Sequence, residues 1–424
     1  MEFKKNFRLG VASASTQIEG GRVNSNWNWF SDQNKIKDHS DVARANNHYE
    51  LYDQDLRLMA QMGIKDYRFS IEWARIQPCE NNFDSDALIH YRDMILEMKE
   101  LNIHPILTFY HFSHPMWFEE KGAWTKKENI IYFLRFVSQC LDVFGDLVDE
   151  YITINEPNVY AVNGHLFGVW PPAKNSLTET IQVMSVLALA HIKAYELIHT
   201  IRKKRGYTNT TVSFAHHVRD FTAKTGCPLD KASAKIFQSL FQDKLTKAMF
   251  IGKFEFPLIN YGKVKQGQYI DFIAINYYTR TAVKNFSEGF MDDCFKNDLG
   301  WEIFPQGLIA VATDLYTVLN LPIYITENGT CDNNDSFRNR YLYDHLKVIT
   351  ESNLPIERYY HWCFIDNFEW VEGESARFGL VHNDYKTQKR SIKQSGHFYS
   401  KIIKEKGISE ETYDSFVKHQ HYHK

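Results

Sequence analysis

Short apolar segments recur along the chain, and each is followed by a longer segment in which apolar residues return with helical spacing. The short segments span residues 7–11, 66–71, 103–110, 151–155, 212–216, 272–277, 323–327 and 360–364. The longer, amphipathic segments include residues 49–62, 87–101, 127–144 and 177–204. Gly63 and Gly145 follow two of them, as expected where helices end. The short segments are too short and too apolar for half-exposed strands, so they predict buried parallel strands alternating with helices.

Eight strand-then-helix units favour an α/β protein with a closed (β/α)8 TIM barrel over an open sheet. The barrel itself needs about 250 residues, which leaves much of the 424-residue chain for long loops after the strands. No Pro-, Gly- or Ser-rich linker and no repeat interrupts the sequence, so we expect one domain over residues 1–424. The last segment is the least regular. Trp362 and Cys363 could equally lie in a buried helix, but the Asp-Asn turn signal that follows favours a strand.

The near balance of positive and negative charges limits the kinds of ligand that we expect the protein to bind. The chain has 49 Lys and Arg against 52 Asp and Glu, a formal net charge of -3. This balance attracts neither nucleic acid nor an anionic membrane surface, so we expect a small uncharged ligand. Aromatic residues form 15% of the chain, which suits a site that stacks on a flat ligand face, although most such side chains pack in a core.

The cysteines and the N-terminal sequence bear on the cellular compartment. Six scattered cysteines form no C-x-x-C pair, which indicates neither a zinc site nor a disulfide framework and favours the reducing cytoplasm. Two lysines and an A-x-A sequence near the N-terminus resemble an export signal. However, the apolar run between them, residues 7–11, contains Arg8 and is shorter than the usual 7 to 15 or so residues. The apolar stretch 183–190 is likewise shorter than the roughly 20 residues of a membrane span.

Polar side chains stand at or just after the ends of most predicted strands. They are Arg68, His111, Asn155, Glu156, His216, His217, Asn276, Tyr278, Glu327 and Glu369. A TIM barrel carries its active site at these C-terminal strand ends. Glu156 in TINEP and Glu327 in ITENG follow the fourth and seventh strands, so they should face each other across the barrel mouth. Two carboxyl groups flanking a ligand can hydrolyse a glycosidic bond, one protonating the leaving oxygen while the other attacks the anomeric carbon.

Each of these residues alone is weak evidence for a site. A single Glu at a strand end is more often a surface or salt-bridge residue, and a lone histidine or tryptophan more often packs in the core. The two glutamates together are stronger evidence for a site. Glu156 and Glu327 both end apolar strands, both neighbour an Asn and lie about half a barrel apart. We therefore predict a paired-carboxylate site.

At these motifs the chain closely resembles glycoside hydrolase family 1, the retaining β-glycosidases. The resemblance runs from FRLGVASASTQIEGG to RFGLVHNDY, and TINEP together with ITENG is highly specific. It implies that Glu156 is the general acid/base and Glu327 the nucleophile, with no metal or cofactor. It implies that five side chains hydrogen-bond the sugar: Gln17, His111, Asn155, Glu369 and Trp370. Arg68, Asn276 and Tyr278 would support the nucleophile. Trp362 and Phe378 would line the floor of the sugar site.

The resemblance also implies a reaction, namely hydrolysis of terminal non-reducing β-D-glycosyl residues by double displacement. β-Glucosides are the expected substrates, with β-galactosides and β-fucosides beside them, because Gln17 and Glu369 can bridge either epimer at C4. Two departures from the family pattern stand out. Phe112 follows His111 where Trp is common, and Glu374 replaces a common aromatic residue. We expect Glu374 to be a solvated loop charge rather than a contact to the leaving group.

Three alternative functions fit the sequence less well. A non-catalytic sugar-binding barrel would be indicated by a missing glutamate, and both are present. A 6-phospho-β-glycosidase is disfavoured because Glu369 and Glu374 would repel a phosphate group. A metal-dependent hydrolase would have to use four histidines: His111, His114, His216 and His217. Their spacing matches no familiar metal site.

Overall fold

Eight parallel strands close into a barrel in which every strand pairs with its neighbours in chain order. The computed structural model describes residues 1–423. The barrel strands β1 to β8 are Arg8–Ala12, Asp66–Ser70, His104–Tyr110, Glu150–Asn155, Thr211–His217, Ile273–Asn276, Ile323–Asn328 and Ile356–Trp362. Strand β1 pairs with both β2 and β8, which closes the barrel. The predicted TIM barrel is confirmed.

Fifteen α-helices surround the barrel or lie in its loops within residues 1–423. Helices α1 to α15 are Ser15–Ile18, Asn26–Asp32, His48–Gln61, Trp73–Ile76, Ser85–Glu100, Met116–Glu120, Ile130–Phe144, Pro157–Ala161, Leu177–Lys204, Pro228–Gln238, Lys244–Ile251, Pro305–Val318, Arg338–Glu351, Gln394–Glu405 and Glu410–Phe416. The four helices predicted from apolar spacing are α3, α5, α7 and α9. Local capping explains two of their starts, since Asp84 accepts backbone N–H groups at the start of α5 and Ser176 does so for α9.

The loops after the strands contain two small sheets. One has three strands, Asp220–Ala223, Arg280–Lys284 and Ser287–Gly289, and the other is the hairpin of Val381–Asp384 with Lys389–Ile392. Two short π-helical turns, Val162–Leu166 and Ser239–Asp243, extend α8 and α10. These insertions all follow C-terminal strand ends, and the π-helical turns and the three-stranded sheet contribute to the wall of a cavity there.

Helix α9 is long and apolar enough, by length and composition, to cross a membrane. In the fold, 67% of its most apolar window is buried within the protein. Its apolar side chains pack against α7 and α11 and against strands β4 and β5. The composition of α9 is therefore explained by its place in the core.

Strand β8 differs most from its predicted bounds. The apolar pattern placed it at residues 360–364, whereas the strand runs from Ile356 to Trp362. Its early residues include Arg358, whose Nη2 donates to Glu150 Oε1 at 2.7 Å across the base of the barrel. The charges of Arg358 and Glu150 compensate each other within the fold. The strand can therefore begin with polar residues, and a search for apolar runs does not detect its start.

Candidate active site

A pocket of about 340 Å³ opens at the C-terminal ends of the barrel strands, and both predicted glutamates line it. Nine predicted site residues form its wall: His111, Asn155, Glu156, Tyr278, Glu327, Trp362, Glu369, Trp370 and Phe378. Gln17, Arg68 and Asn276 lie behind this wall, fully buried, and hydrogen-bond to it. A larger cavity of about 830 Å³ at the opposite end of the barrel contains none of these residues. The structure thus brings the predicted site residues together at the end where TIM barrels carry chemistry.

The end of β4 brings two adjacent side chains into this pocket. Successive residues of a strand point to opposite faces, but Glu156 follows the strand with a left-handed backbone conformation, φ 42°. Pro157 then begins α8. As a result, Asn276 Nδ2 donates both to Asn155 Oδ1, at 3.0 Å, and to Glu156 Oε1, at 2.8 Å. The sharp turn after TIN explains why an amide and a carboxyl group share one site.

Glu327, at the end of β7, is held by two donors. Arg68 Nη1 donates to its Oε1, and the Tyr278 hydroxyl donates to its Oε2 at 2.6 Å. The Arg68 side chain is fully buried, and its Nη2 donates to Asn155 Oδ1 at 2.6 Å. A buried cation and a hydroxyl donor both favour the carboxylate form of Glu327.

The carboxyl groups of Glu156 and Glu327 are coupled, so their protons belong to the pair. Burial, opposed by Arg68 and reinforced by a charge on Glu156, raises the pKa of Glu327 to about 7. Burial also acts to raise the pKa of Glu156. A positive charge on the neighbouring His217, with the hydrogen bond from Asn276, would bring that pKa below its ordinary value. The location of the proton therefore depends on the charge of His217.

Sequence reasoning missed several residues that line the pocket, among them Trp170, Trp301, His217 and Arg219. His217 Nδ1 lies 3.2 Å from Glu156 Oε1, and Arg219 Nε donates to His217 Nε2 at 3.2 Å. An arginine can only donate, so Nε2 accepts and Nδ1 carries the hydrogen. The imidazole is then neutral and donates to Glu156. With no positive charge on His217, burial and the charge of Glu327 dominate and raise the pKa of Glu156.

The two oxygens of Glu156 consequently differ. Oε1 accepts from both Asn276 and His217, whereas Oε2 has neither donor. A proton shared by the carboxyl pair is therefore best placed on Oε2 of Glu156. The polar strand-end position of His217 was the available signal, but its contact with Arg219 depends on the turn that follows β5.

His111 is a neutral donor that faces the pocket. Asn155 Nδ2 donates to His111 Nε2 at 3.0 Å, so the ring hydrogen is on Nδ1. Burial and the nearby Arg68 hold the pKa of His111 well below its ordinary value. Its Nδ1 has no hydrogen-bond partner within residues 1–423, and the ring stacks with Trp362 and Trp370. A ligand hydroxyl can accept this unused hydrogen bond.

Gln17 and Glu369 form a second polar group at the far side of the pocket. Gln17 Nε2 donates to Glu369 Oε2 at 3.1 Å and to the Phe368 carbonyl at 2.9 Å. Gln17 Oε1 is buried and has no partner among the described residues. Burial raises the pKa of Glu369 to about 8, with the charge of Glu327 adding to the shift. An amide oxygen and a carboxyl group are thus available to the hydroxyls of a ligand.

One expectation about the rim is wrong. Glu374 is not a solvated loop charge, because its side chain is only 11% exposed and ion-pairs with Arg44. Arg44 Nε donates to Glu374 Oε1 at 2.6 Å. Glu374 does not line the pocket. Its charge is used to anchor the loop after β8 to the loop before α3.

The four histidines considered for a metal site do not converge. His114 Nε2 lies 2.7 Å from Glu119 Oε2, and His216 Nε2 lies 2.9 Å from the Thr246 hydroxyl. In the part of the chain that the structure describes, no three His, Cys, Asp or Glu side chains are grouped so as to hold a metal ion. His114 thus contacts α6, His216 joins β5 to α11, and His111 and His217 line the pocket.

Comparison with known proteins agrees with this geometry. The model of glycosyl hydrolase family 1 matches residues 1–408. A β-glucosidase A from Thermotoga maritima is 31% identical, over 96% of this chain and 99% of its own. The structure of a β-glycosidase from Pyrococcus horikoshii superposes with a TM-score of 0.89 at 31% identity, covering 98% of each chain. A Thermotoga maritima β-glucosidase in complex with castanospermine gives a TM-score of 0.87 at 30% identity, covering 96% of this chain and 100% of that one.

The match spans nearly the whole chain and includes both strands that carry the glutamates. The barrel, the paired carboxyl groups and their supporting donors are those implied by the sequence motifs. The protein therefore belongs to glycosyl hydrolase family 1 and is an O-glycosyl hydrolase.

Proposed function

We propose that the protein hydrolyses terminal β-D-glycosidic bonds, with β-glucosides as its principal substrates, in two displacements that retain the β configuration. The observation that carries the proposal is the unequal support of the two glutamates. Glu327 is held by Arg68 and Tyr278 as a carboxylate, while Glu156 is buried beside a neutral histidine. A retaining glycosidase needs one ionised nucleophile and one protonated acid.

In the first displacement, Glu327 attacks the anomeric carbon. The bond from that carbon to the leaving oxygen breaks, and a covalent glycosyl-enzyme forms. Glu156 transfers its proton from Oε2 to the leaving oxygen, so the aglycone departs as a neutral alcohol. The donors on Oε1 stabilise the carboxylate that Glu156 becomes.

In the second displacement, Glu156 acts as the base. It removes a proton from a water molecule, whose oxygen attacks the anomeric carbon and releases Glu327. Arg68 and Tyr278 stabilise the departing carboxylate. Two inversions at one carbon restore the β configuration.

The polar groups around the pocket fit a sugar in the position that this chemistry needs. His111 Nδ1 and the second amide hydrogen of Asn155 are donors for hydroxyls near the reacting carbon. Gln17 and Glu369 present acceptors further away, and Trp370 and Trp362 provide flat apolar faces. β-Glucosides are proposed first because the relatives described above include β-glucosidases.

The alternatives are less well supported. A 6-phosphosugar needs an available cation, but the two cations that line the pocket, Lys37 and Arg219, are ion-paired with Glu372 and Glu288. A barrel that only binds sugar would not need two donors that stabilise the carboxylate of Glu327. A cytoplasmic location stays a prediction from the sequence.

Initial rates on p-nitrophenyl β-glycosides of glucose, galactose, fucose and 6-phosphoglucose test this proposal. We expect the highest kcat/KM for the glucoside, lower but measurable values for galactoside and fucoside, and none for the phosphosugar. Glu327→Gln serves as the inactive control. Equal rates for that variant and the native protein, or activity confined to the 6-phosphoglucoside, would refute the assignment.

A further inference from the structure

A second cavity of about 790 Å³ adjoins the catalytic pocket and is more than twice its volume. The two cavities share Val159, Asn163 and Arg219 in their walls. The second cavity, here termed the apolar groove, is built from α8 with its π-helical turn, the start of α9, α10 with its π-helical turn and the loop near Pro257. Neither of the two catalytic glutamates contributes to it.

The apolar groove begins on the side of the pocket from which a leaving group departs. Glu156, the proposed acid, must contact the oxygen between sugar and aglycone. Val159 lies one helical turn after Glu156 on α8, and Arg219 reaches Glu156 through His217. These shared wall residues therefore stand beside the bond that is cleaved. An aglycone extending past Val159 and Arg219 enters the groove.

The walls of the groove are mostly hydrocarbon. They include Val162, Leu166, Ile181, Met184, Ile236 and Phe237. Several further wall residues are unusually exposed for their type, such as Phe256 at 87% and Leu177 at 63%. Large apolar side chains lining an open groove mark a surface that is covered during function.

Four charged side chains contribute to the wall of the groove, and they are partly neutralised. Arg219 Nη1 lies 3.7 Å from Glu288 Oε2, and its guanidinium also lies over the Phe241 ring. Lys235 and Lys244 also contribute to the wall. Apolar side chains outnumber these four charges in the wall, so the groove is suited to an uncharged occupant.

We infer that the apolar groove binds the aglycone of the substrate, and that this aglycone is an extended, uncharged hydrocarbon chain. The inference rests on the proposed β-glycosidase function, since it assigns the second half of the same substrate. The sugar occupies the polar pocket, the glycosidic oxygen contacts Glu156, and the chain runs over Val159 into the groove. Hydrolysis releases the chain as an alcohol and the sugar separately.

Alkyl β-D-glucosides of increasing chain length test this inference, assayed below their micelle concentrations by release of glucose. Complete burial of a methylene group would raise kcat/KM about fourfold. Because one side of the groove is open, we expect about twofold per methylene from butyl to decyl glucoside. A value of kcat/KM that does not change with chain length would overturn the inference, while hydrolysis of p-nitrophenyl β-glucoside would still support the proposed function.

Variants that place a charge in the apolar groove test whether the dependence of kcat/KM on chain length arises there. Ile236 and Leu240 are 43% and 47% exposed on the groove wall and lie away from the glutamates, so replacing them should not disturb the fold. We expect Ile236→Glu and Leu240→Glu to lower kcat/KM for decyl glucoside about tenfold or more and to leave methyl glucoside unchanged. Ile131→Glu is the matched control, because Ile131 is 54% exposed on α7, outside the groove.

Two further outcomes would contradict the inference. Equal losses for decyl and methyl glucosides would show that the variants damage the whole site. A dimer that Ile236→Glu converts to a monomer in sedimentation, with no effect on chain-length preference, would assign the groove to a second copy of the chain. If the native protein hydrolyses none of the p-nitrophenyl glycosides, the proposed function itself is refuted.

Discussion

Arg219 donates to Nε2 of His217, and this contact sets which ring nitrogen of His217 faces Glu156. The other nitrogen, Nδ1, lies 3.2 Å from Glu156 and is left as a donor. An arginine two residues further along the chain thus determines the hydrogen bonding of a carboxyl group it does not touch. His217 and Arg219 are positioning residues in this arrangement, because they act through Glu156.

Replacing His217 should move the basic limb of the pH profile. His217→Phe removes the donor that stabilises the carboxylate form of Glu156, so the pKa of Glu156 rises. We expect the basic limb of kcat/KM, which reports the free-enzyme acid, to shift upward by about 0.5 to 1 pH unit. His217→Asn keeps an N–H near the position of Nδ1 and should shift the limb less. A basic limb that is identical in the Phe variant and the native protein would argue against this role.

Replacing Glu327 should abolish turnover and permit chemical rescue. Glu327→Ala removes the nucleophile, so we expect kcat to fall by about four orders of magnitude or more. Azide can enter the vacated space and attack from the same face, giving an α-glycosyl azide when the substrate has a good leaving group. Glu156→Ala is the matched variant and should give the β-azide, because the nucleophile is still present. Exchange of the two products, identified by NMR, would mean that the roles of the glutamates are reversed.

Removing the Tyr278 hydroxyl should move the acidic limb. This hydroxyl donates to Glu327 Oε2 and lowers the pKa of that carboxyl group. In Tyr278→Phe the carboxylate loses a donor, its pKa rises, and activity on the acidic side is lost at a higher pH. We expect an upward shift of the acidic limb of kcat/KM by about one pH unit.

Tyr277→Phe provides the control for that experiment. Tyr277 is the adjacent residue, but its hydroxyl donates to the Phe304 carbonyl at 2.6 Å, away from the glutamates. Its variant should retain the native acidic limb. If both tyrosine variants shift the limb equally, a general change at the end of β6 would account for the effect, and the Tyr278 bond would not.

Sugar binding should release a proton from Glu369. Burial raises its pKa to about 8, so the group is largely protonated at pH 7. Sugar hydroxyls that donate to both of its oxygens require the carboxylate, and the proton must leave. The experiment uses Glu327→Gln, in which the charge of residue 327 no longer adds to the shift but burial, its largest cause, remains. We expect glucose to bind more tightly as the pH rises from 6 to 8, with a change that levels off above the pKa of Glu369 and stays below tenfold per unit.

Calorimetry in buffers of different ionisation enthalpy measures the released proton directly. Glu369→Gln, combined with Glu327→Gln, should bind glucose with an affinity that does not depend on pH over this range. Proton uptake on binding, or pH dependence that persists in the double variant, would contradict the assignment to Glu369.

Apolar runs predicted seven of the eight strands closely because each strand of a parallel barrel is buried on both of its faces. Strand β8 was misplaced because Arg358 is compensated by Glu150, a partner more than 200 residues away. The two glutamates were found for a related reason. A polar residue that ends an apolar run is visible in the sequence alone, as Glu156 and Glu327 are.

The remaining parts of the site depend on contacts that local sequence does not specify. The link from Arg219 to Glu156 requires the turn after β5 to bring two side chains onto one imidazole. The burial of Glu374 requires Arg44, 330 residues earlier. The apolar groove forms between α9 and α10 and the loop near Pro257, each of which has an ordinary amphipathic or apolar pattern. No single segment indicates that the three leave a cavity between them.

Closure of the barrel between β1 and β8 also sets the order in which the site is assembled during synthesis. Gln17 and Glu369, 352 residues apart, meet across that seam. A nascent chain that has emerged as far as Glu327 contains both glutamates but lacks the strand that brings Glu369 to Gln17. The polar end of the pocket is therefore completed only when the final strand closes on the first.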